Sequence, residues 1–178
     1  MTEHLVFTGT ESTYKTTLAQ WLGERTGWTV VPEFARTYLD QRCADAETID
    51  MHDFPLDHFE AIVGGQFQLQ ETHNYQTNPL KPTIFDTDTL TLAIWALDKF
   101  NQDRNELWPL NGPRRYILCA PTNEAADDRM RVDAHRRAEL HEHYKKHLDA
   151  LKLPYIELIE PQLENRKVEL LKKLGIEY

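Results

Sequence analysis

Cysteine is nearly absent from this sequence. Cys43 and Cys119 stand alone and far apart, which permits one disulfide at most and supports neither a disulfide framework nor a zinc ribbon. A reducing, cytoplasmic setting is the expectation. Positive charge is also short: 20 Lys and Arg against 29 Asp and Glu leave a formal net charge of −9. That sign opposes the phosphate neutralisation on which non-specific nucleic-acid binding depends. No apolar run approaches the roughly 18 residues needed to cross a bilayer, so no membrane partner is expected. The opening Met1-Thr2-Glu3-His4 has no basic region and runs directly into Leu5-Val6-Phe7-Thr8, too short for the apolar core of an export signal. Gly and Pro number only 7 and 9, with no Gly/Ser or Pro tract, which argues against a fibrous repeat or a linker. With 178 residues, 40% of them hydrophobic, one compact domain over 1–178 is expected.

Short apolar runs alternate with helical patterns, the order of an α/β domain with a mainly parallel sheet. Five strands are predicted, at Leu5–Thr8, Thr29–Val31, Thr83–Phe85, Tyr116–Cys119 and Tyr155–Ile159. Between the first two, Leu18, Ala19, Trp21 and Leu22 fall on one side of a helix over Thr16–Arg25, with Gly27 as a stop. The stretch 34–78 reads as two or more helices with Ile62, Phe67 and Leu69 as core, closed by Asn78-Pro79. The run from Thr89 through Leu97 is too long and continuous for a strand and reads as a buried helix. Helical spacing returns over Ala134–Leu151, and Pro161 opens a last helix through Leu174. Trp21, Trp95 and Trp108 are expected in the core. His135, His141, His143 and His147 lie among Lys and Glu without a metalloprotease pattern, and no metal role is assigned to them.

Four segments carry chemistry. Gly9-Thr10-Glu11-Ser12-Thr13-Tyr14-Lys15-Thr16 follows the first strand and opens the first helix, the setting of a phosphate-binding loop. Its backbone N–H groups, continued to Thr17, would cradle a nucleoside triphosphate such as ATP. Lys15 would contact the outer phosphates, and the Thr16 hydroxyl would ligate Mg²⁺. Tyr14 stands where such loops carry Gly; a left-handed backbone there would cost a bulky residue roughly 1–3 kcal/mol. Phe85-Asp86-Thr87-Asp88 ends the third strand, where Asp88 or Asp86 can hold Mg²⁺, or Asp88 can simply cap the next helix. Glu33 and Arg36 follow the second strand at the same sheet edge, as a base for an attacking hydroxyl and a substrate-orienting cation. Asp127-Asp128-Arg129-Met130-Arg131 lies in a polar stretch, about 120–134, suited to a lid whose arginines meet the transferring phosphate. A solvated charge run reads equally from the same residues.

Together these segments resemble the ribosylnicotinamide kinase domain of the NadR family, within the AAA-like ATPases, over most of the chain. The similarity lies in Gly9 to Leu18, in Pro32-Glu33-Phe34-Ala35-Arg36-Thr37-Tyr38, in Asp86-Thr87-Asp88 with Thr91, and in Leu153-Pro154-Tyr155 with Glu164-Asn165-Arg166. Tyr14 and Arg129 stand where that family has Gly. The resemblance implies a P-loop three-layer sandwich, with a five-stranded parallel sheet in order 2-3-1-4-5 and helices on both faces. It also implies ATP- and Mg²⁺-dependent phosphoryl transfer to a small hydroxylated metabolite, nicotinamide riboside first. In that reading Lys15, Glu33, Arg129 and Arg131 are catalytic, Glu33, Arg36 and Asp86 meet the substrate, and Thr16 and Asp88 hold the metal. A non-catalytic nucleotide-binding module and a kinase for another nucleoside or nucleotide remain open alternatives.

Overall fold

The computed structural model describes residues 3–44, 49–51, 53–76, 81–108, 113–122 and 134–177. Strands β1 (His4–Thr8), β2 (Thr29–Val31), β3 (Thr83–Asp86), β4 (Arg114–Cys119) and β5 (Tyr155–Leu158) form one sheet. Its order is β2-β3-β1-β4-β5 and every pairing is parallel. The crossovers carry helices α1 (Lys15–Thr26), α2 (Phe34–Ala44), α3 (Leu56–Gln76), α4 (Thr89–Phe100) and α5 (Arg137–Ala150), and α6 (Leu163–Leu174) follows β5. All five predicted strands are present at the predicted places. β4 starts two residues earlier, at Arg114. The stretch 34–78 resolves into α2 and α3, while Asn78-Pro79 lies outside the described residues.

Alternation along β1 divides the sheet into two buried faces. Leu5 and Phe7 pack with Ile84, Ile117 and Cys119 against Leu18 and Leu22 of α1 and Leu170 and Leu171 of α6. Val6 packs on the other face with Phe85, Tyr116 and Leu118 against Leu90 and Ile94 of α4 and Tyr144 and Leu148 of α5. A third cluster joins α2, α3 and α4 through Leu39, Phe59, Ile62, Leu92 and Ala96. Of the residues expected in the core, Ile62 is fully buried, whereas Phe67, Leu69, Trp21, Trp95 and Trp108 are only partly so. Trp108 donates from Nε1 to Asp103 at 3.1 Å and stacks on His147, so its N–H keeps it at the rim. Among the described residues, no helix is long and apolar enough to cross a membrane.

α4 is pinned to the sheet by a buried charge. Asp88, with none of its surface exposed, caps the helix by accepting from the Leu90 N–H at 3.0 Å. Its Oδ2 accepts from Arg114 Nη1 at 3.0 Å and from the Tyr116 hydroxyl at 2.7 Å. Arg114 in turn lies over the Phe85 ring. One carboxylate thus ties the start of α4, just past β3, to β4 across the intervening strand β1. Removing one partner of a buried pair strands the other without a counter-charge and costs about 3–5 kcal/mol, with the lost cap inside that figure. Asp88→Ala is therefore expected to lower the unfolding free energy by about 3–5 kcal/mol in urea; a loss under about 1 kcal/mol would exclude this anchoring role.

Candidate active site

β1 ends at Gly9, where the backbone turns with φ of 124°. A Cβ at Gly9 would stand 2.7 Å from the Cys119 carbonyl oxygen, so glycine is required both by the angle and by the close approach of β4. The loop that follows has two further left-handed residues, Ser12 at φ 57° and Tyr14 at φ 65°. Left-handed residues in such a turn point successive N–H groups to one side, forming a concave anion nest. The carbonyls are held by other groups. Thr10 O accepts from the Thr13 hydroxyl at 2.9 Å and from Lys15 Nζ at 2.6 Å. Ser12 O accepts from the Thr122 hydroxyl at 3.2 Å, and Thr13 O accepts from Arg166 Nη1 at 2.9 Å. α1 then starts at Lys15, adding its N-terminal dipole to the nest.

Tyr14 occupies the left-handed N-cap position of α1. Its ring packs against the core cluster that includes Leu18, Leu170 and Leu171, with the Arg166 guanidinium 6.0 Å from its centroid. The strain of a left-handed non-glycine, of the order of 1–2 kcal/mol, is met by ring burial and a cation–π contact of similar size.

Three more segments meet the loop at the carboxyl edge of the sheet. Asp86 is in register with Phe7 and so projects on the α1 face. Its carboxylate takes a hydrogen bond from the Thr16 side chain, while its Oδ1 is buried with no hydrogen-bond partner among the described residues. Burial raises its pKa, and the Thr16 bond and the charges of Lys15 and Arg36 pull the other way. Glu33, just past β2, is pushed up to about 7, first by burial and then by the charge of Asp86, against Lys15 and Arg36. The residue as a whole keeps some solvent contact, while burial dominates at its carboxyl. Two carboxylates and two cations therefore share one spot. Asp86 Oδ1 and the Thr16 hydroxyl are the hard oxygen ligands that fit a Mg²⁺ ion.

Asp88, expected as the metal ligand, does not join this group. Both its oxygens are engaged by Leu90, Arg114 and Tyr116 on the α4–α5 face, and the caps-the-helix alternative describes it. Lys15, Thr16, Glu33, Arg36 and Asp86 are brought together; Thr17 sits exposed in the first turn of α1. Asp127, Asp128, Arg129 and Arg131 lie outside the described residues. The sequence reading passed over Gln66, which is 2% exposed. Its Oε1 accepts from the N–H of Phe34, the neighbour of Glu33, at 3.1 Å, and its Nε2 is buried without an acceptor among the described residues. The available signal was the change from Phe59, Ile62 and Val63 to Gln66 and Gln70 along one buried helix stripe.

Tyr14→Gly removes both the left-handed strain and the ring packing. The two effects nearly cancel, so stability should stay within about 1 kcal/mol of the parent, with ATP affinity changed by less than about threefold. A variant that gains tenfold or more in calorimetric titration would show that the ring obstructs the loop.

The AAA domain family matches residues 4–166. No curated protein matches the chain. Among solved structures, NadR protein in complex with NR superposes with a TM-score of 0.76 at 19% identity, over 99% of this chain and 52% of that one. NadR protein in complex with NAD and AMP-PNP gives 0.71 at 18%, over 99% and 51%. The chain thus spans about half the length of these NadR chains. Deoxyadenosine kinase from M. mycoides with bound dATP gives 0.64 at 12%, over 98% of this chain and 100% of that one. These likenesses establish a shared P-loop kinase-like fold. With the family match covering almost the whole chain, this protein belongs to the AAA domain family.

Proposed function

We propose that this chain is a P-loop kinase that transfers a phosphoryl group from ATP to a hydroxyl of a small nucleoside, nicotinamide riboside being the first candidate. The observation that carries the reading is the meeting of Lys15, Thr16, Asp86, Glu33 and Arg36 beside an anion nest, with the Glu33 carboxyl near 7. The loop N–H groups and Lys15 bind the outer phosphates, and Lys15 exchanges its bond to Thr10 O for them. Thr16 and Asp86 would hold Mg²⁺, which when bound would supply charge neutralisation to the phosphate oxygens. Glu33 takes the proton of the attacking hydroxyl; a base with pKa near working pH suits that task. Arg36 orients the acceptor, and the Gln66 amide N–H beside Glu33 offers it a donor. Arg129 and Arg131 are the candidates for stabilising the developing charge. NR, AMP-PNP and dATP in the structural neighbours support nucleosides and nucleotides as the ligand class. The rival reading of a non-catalytic module rested on Tyr14 blocking the loop, and its ring packs elsewhere.

Lys15→Ala should weaken ATP binding about tenfold to a hundredfold, the loss of one charge-assisted contact, and leave no core cavity. Equal ATP affinity in calorimetry would remove the phosphate-loop assignment.

Glu33→Gln should lower kcat about 10²–10⁴-fold and abolish the acid limb near pH 7 in kcat/KM. The same change has a stability signature of fixed sign. A carboxyl raised from 4.5 to about 7 on folding contributes its stability below the unfolded value and loses it as pH rises through about 7. Glu33→Gln should therefore be more stable than the parent at pH 8, by about 1–3 kcal/mol, and gain little at pH 4. Equal gains at both values would show that Glu33 is not the titrating group.

A further inference from the structure

Arg166 is the largest fully buried side chain among the described residues, and no role in the proposed transfer falls to it. It rises from the first turn of α6 and donates to three backbone carbonyls on three different segments. Nε reaches Glu160 O at 2.7 Å; Nη1 reaches Thr13 O at 2.9 Å and Ala120 O at 3.1 Å. The planar guanidinium, with five donors in a fixed fork, suits acceptors that lie in three directions. Two of the three belong to Xaa-Pro peptides, since Pro121 follows Ala120 and Pro161 follows Glu160. Those peptide groups have no N–H, so holding their carbonyls aims nothing.

The third is different. The carbonyl of Thr13 and the N–H of Tyr14 share one planar trans peptide and point in opposite directions. A guanidinium that holds the Thr13 carbonyl on the α6 side therefore turns the Tyr14 N–H toward the concave side of the loop. The same side chain lies over the Tyr14 ring and keeps it in the core cluster with Leu170 and Leu171. Thr122, on the chain leaving β4, treats the preceding peptide alike by donating to Ser12 O. We propose that Arg166 is the positioning residue of the phosphate loop: from α6 it sets the left-handed peptide at Tyr14 so that its N–H faces the phosphates of a bound nucleotide. This rests on the phosphate-loop part of the reading above and not on the identity of the acceptor. It also accounts for a loop that works with Tyr where glycine is usual, because the conformation glycine adopts freely is here imposed through the ring and the carbonyl.

The test uses ¹⁵N-labelled full chain titrated with ATP and with inorganic pyrophosphate, adenosine serving as the phosphate-free control. In the parent, both phosphate ligands should move the Tyr14 amide resonance and adenosine should not. Arg166→Met keeps volume and removes the donors. It should bind ATP and pyrophosphate about tenfold more weakly, the size expected for one misdirected donor, and its Tyr14 amide should stop responding while circular dichroism stays unchanged. Arg166→Lys, which keeps the charge and part of the bonding, should recover part of the affinity. A folded Arg166→Met that binds ATP within twofold of the parent, with the Tyr14 amide still responding, overturns the proposal. If Arg166→Met does not fold, Arg166→Lys decides: affinity within twofold of the parent overturns it, and a severalfold loss with a weakened Tyr14 response supports it. A parent that binds neither ATP nor pyrophosphate refutes the phosphate-loop reading itself, and the proposal with it.

Discussion

The central place of β1 in the sheet is the constraint on which the site depends. β1 pairs with β3 on one side and β4 on the other, so the chain leaving it at Gly9 emerges between Asp86 and Cys119. All strands run parallel, and the loops after β1, β2 and β3 therefore open at one edge, where ligands of such sheets bind. The Thr87 N–H donates to the Phe7 carbonyl at 3.0 Å, extending the β1–β3 contact as far as the loop. On the other flank the Cys119 carbonyl comes so close to Gly9 that any side chain there would push β1 from β4. Both neighbours of the parent strand thus hold the start of the loop.

Charge at that edge works against folding. Burial and the neighbouring Asp86 raise the Glu33 carboxyl, and burial raises that of Asp86; Lys15 and Arg36 only partly compensate. Functional sites commonly carry such unfavourable groupings, offset by well-packed regions elsewhere. Here the offset comes from three apolar clusters that enclose both sheet faces and the α2–α4 layer. The buried Asp88 carboxylate contrasts with this, because its two oxygens meet three donors. Two aspartates two residues apart thus have opposite roles: Asp88 fastens the helix, and Asp86 keeps an oxygen that no described residue satisfies.

Most of the architecture was legible in sequence because each parallel strand, covered on both faces, appears as a short apolar run between helical patterns. The early start of β4 was not legible. Arg114 and Arg115 look like loop residues, yet Arg114 reaches Asp88 and Arg115 pairs with Glu3 at 2.9 Å, so their charges are met while their backbones join the ladder. α3 was blurred for the opposite reason: glutamines replace apolar residues along its buried stripe where it passes the start of α2. The strand order came from family resemblance, since no local pattern says which strand lies beside which.

The sequence by itself determined the phosphate loop, its place between the first strand and first helix, and the Glu33 and Arg36 pair after the second strand. Those features depend on neighbours a few residues away, and local spacing encodes them. Tertiary structure alone decided where the Tyr14 ring goes, because Arg166 and the α6 part of the cluster it packs against are more than 150 residues distant. It likewise decided that Asp88 caps α4 and pairs with Arg114 and Tyr116. A carboxylate at a helix start has the same local sequence whether it caps or binds metal, and only the donors that β4 and α1 bring to it separate the two.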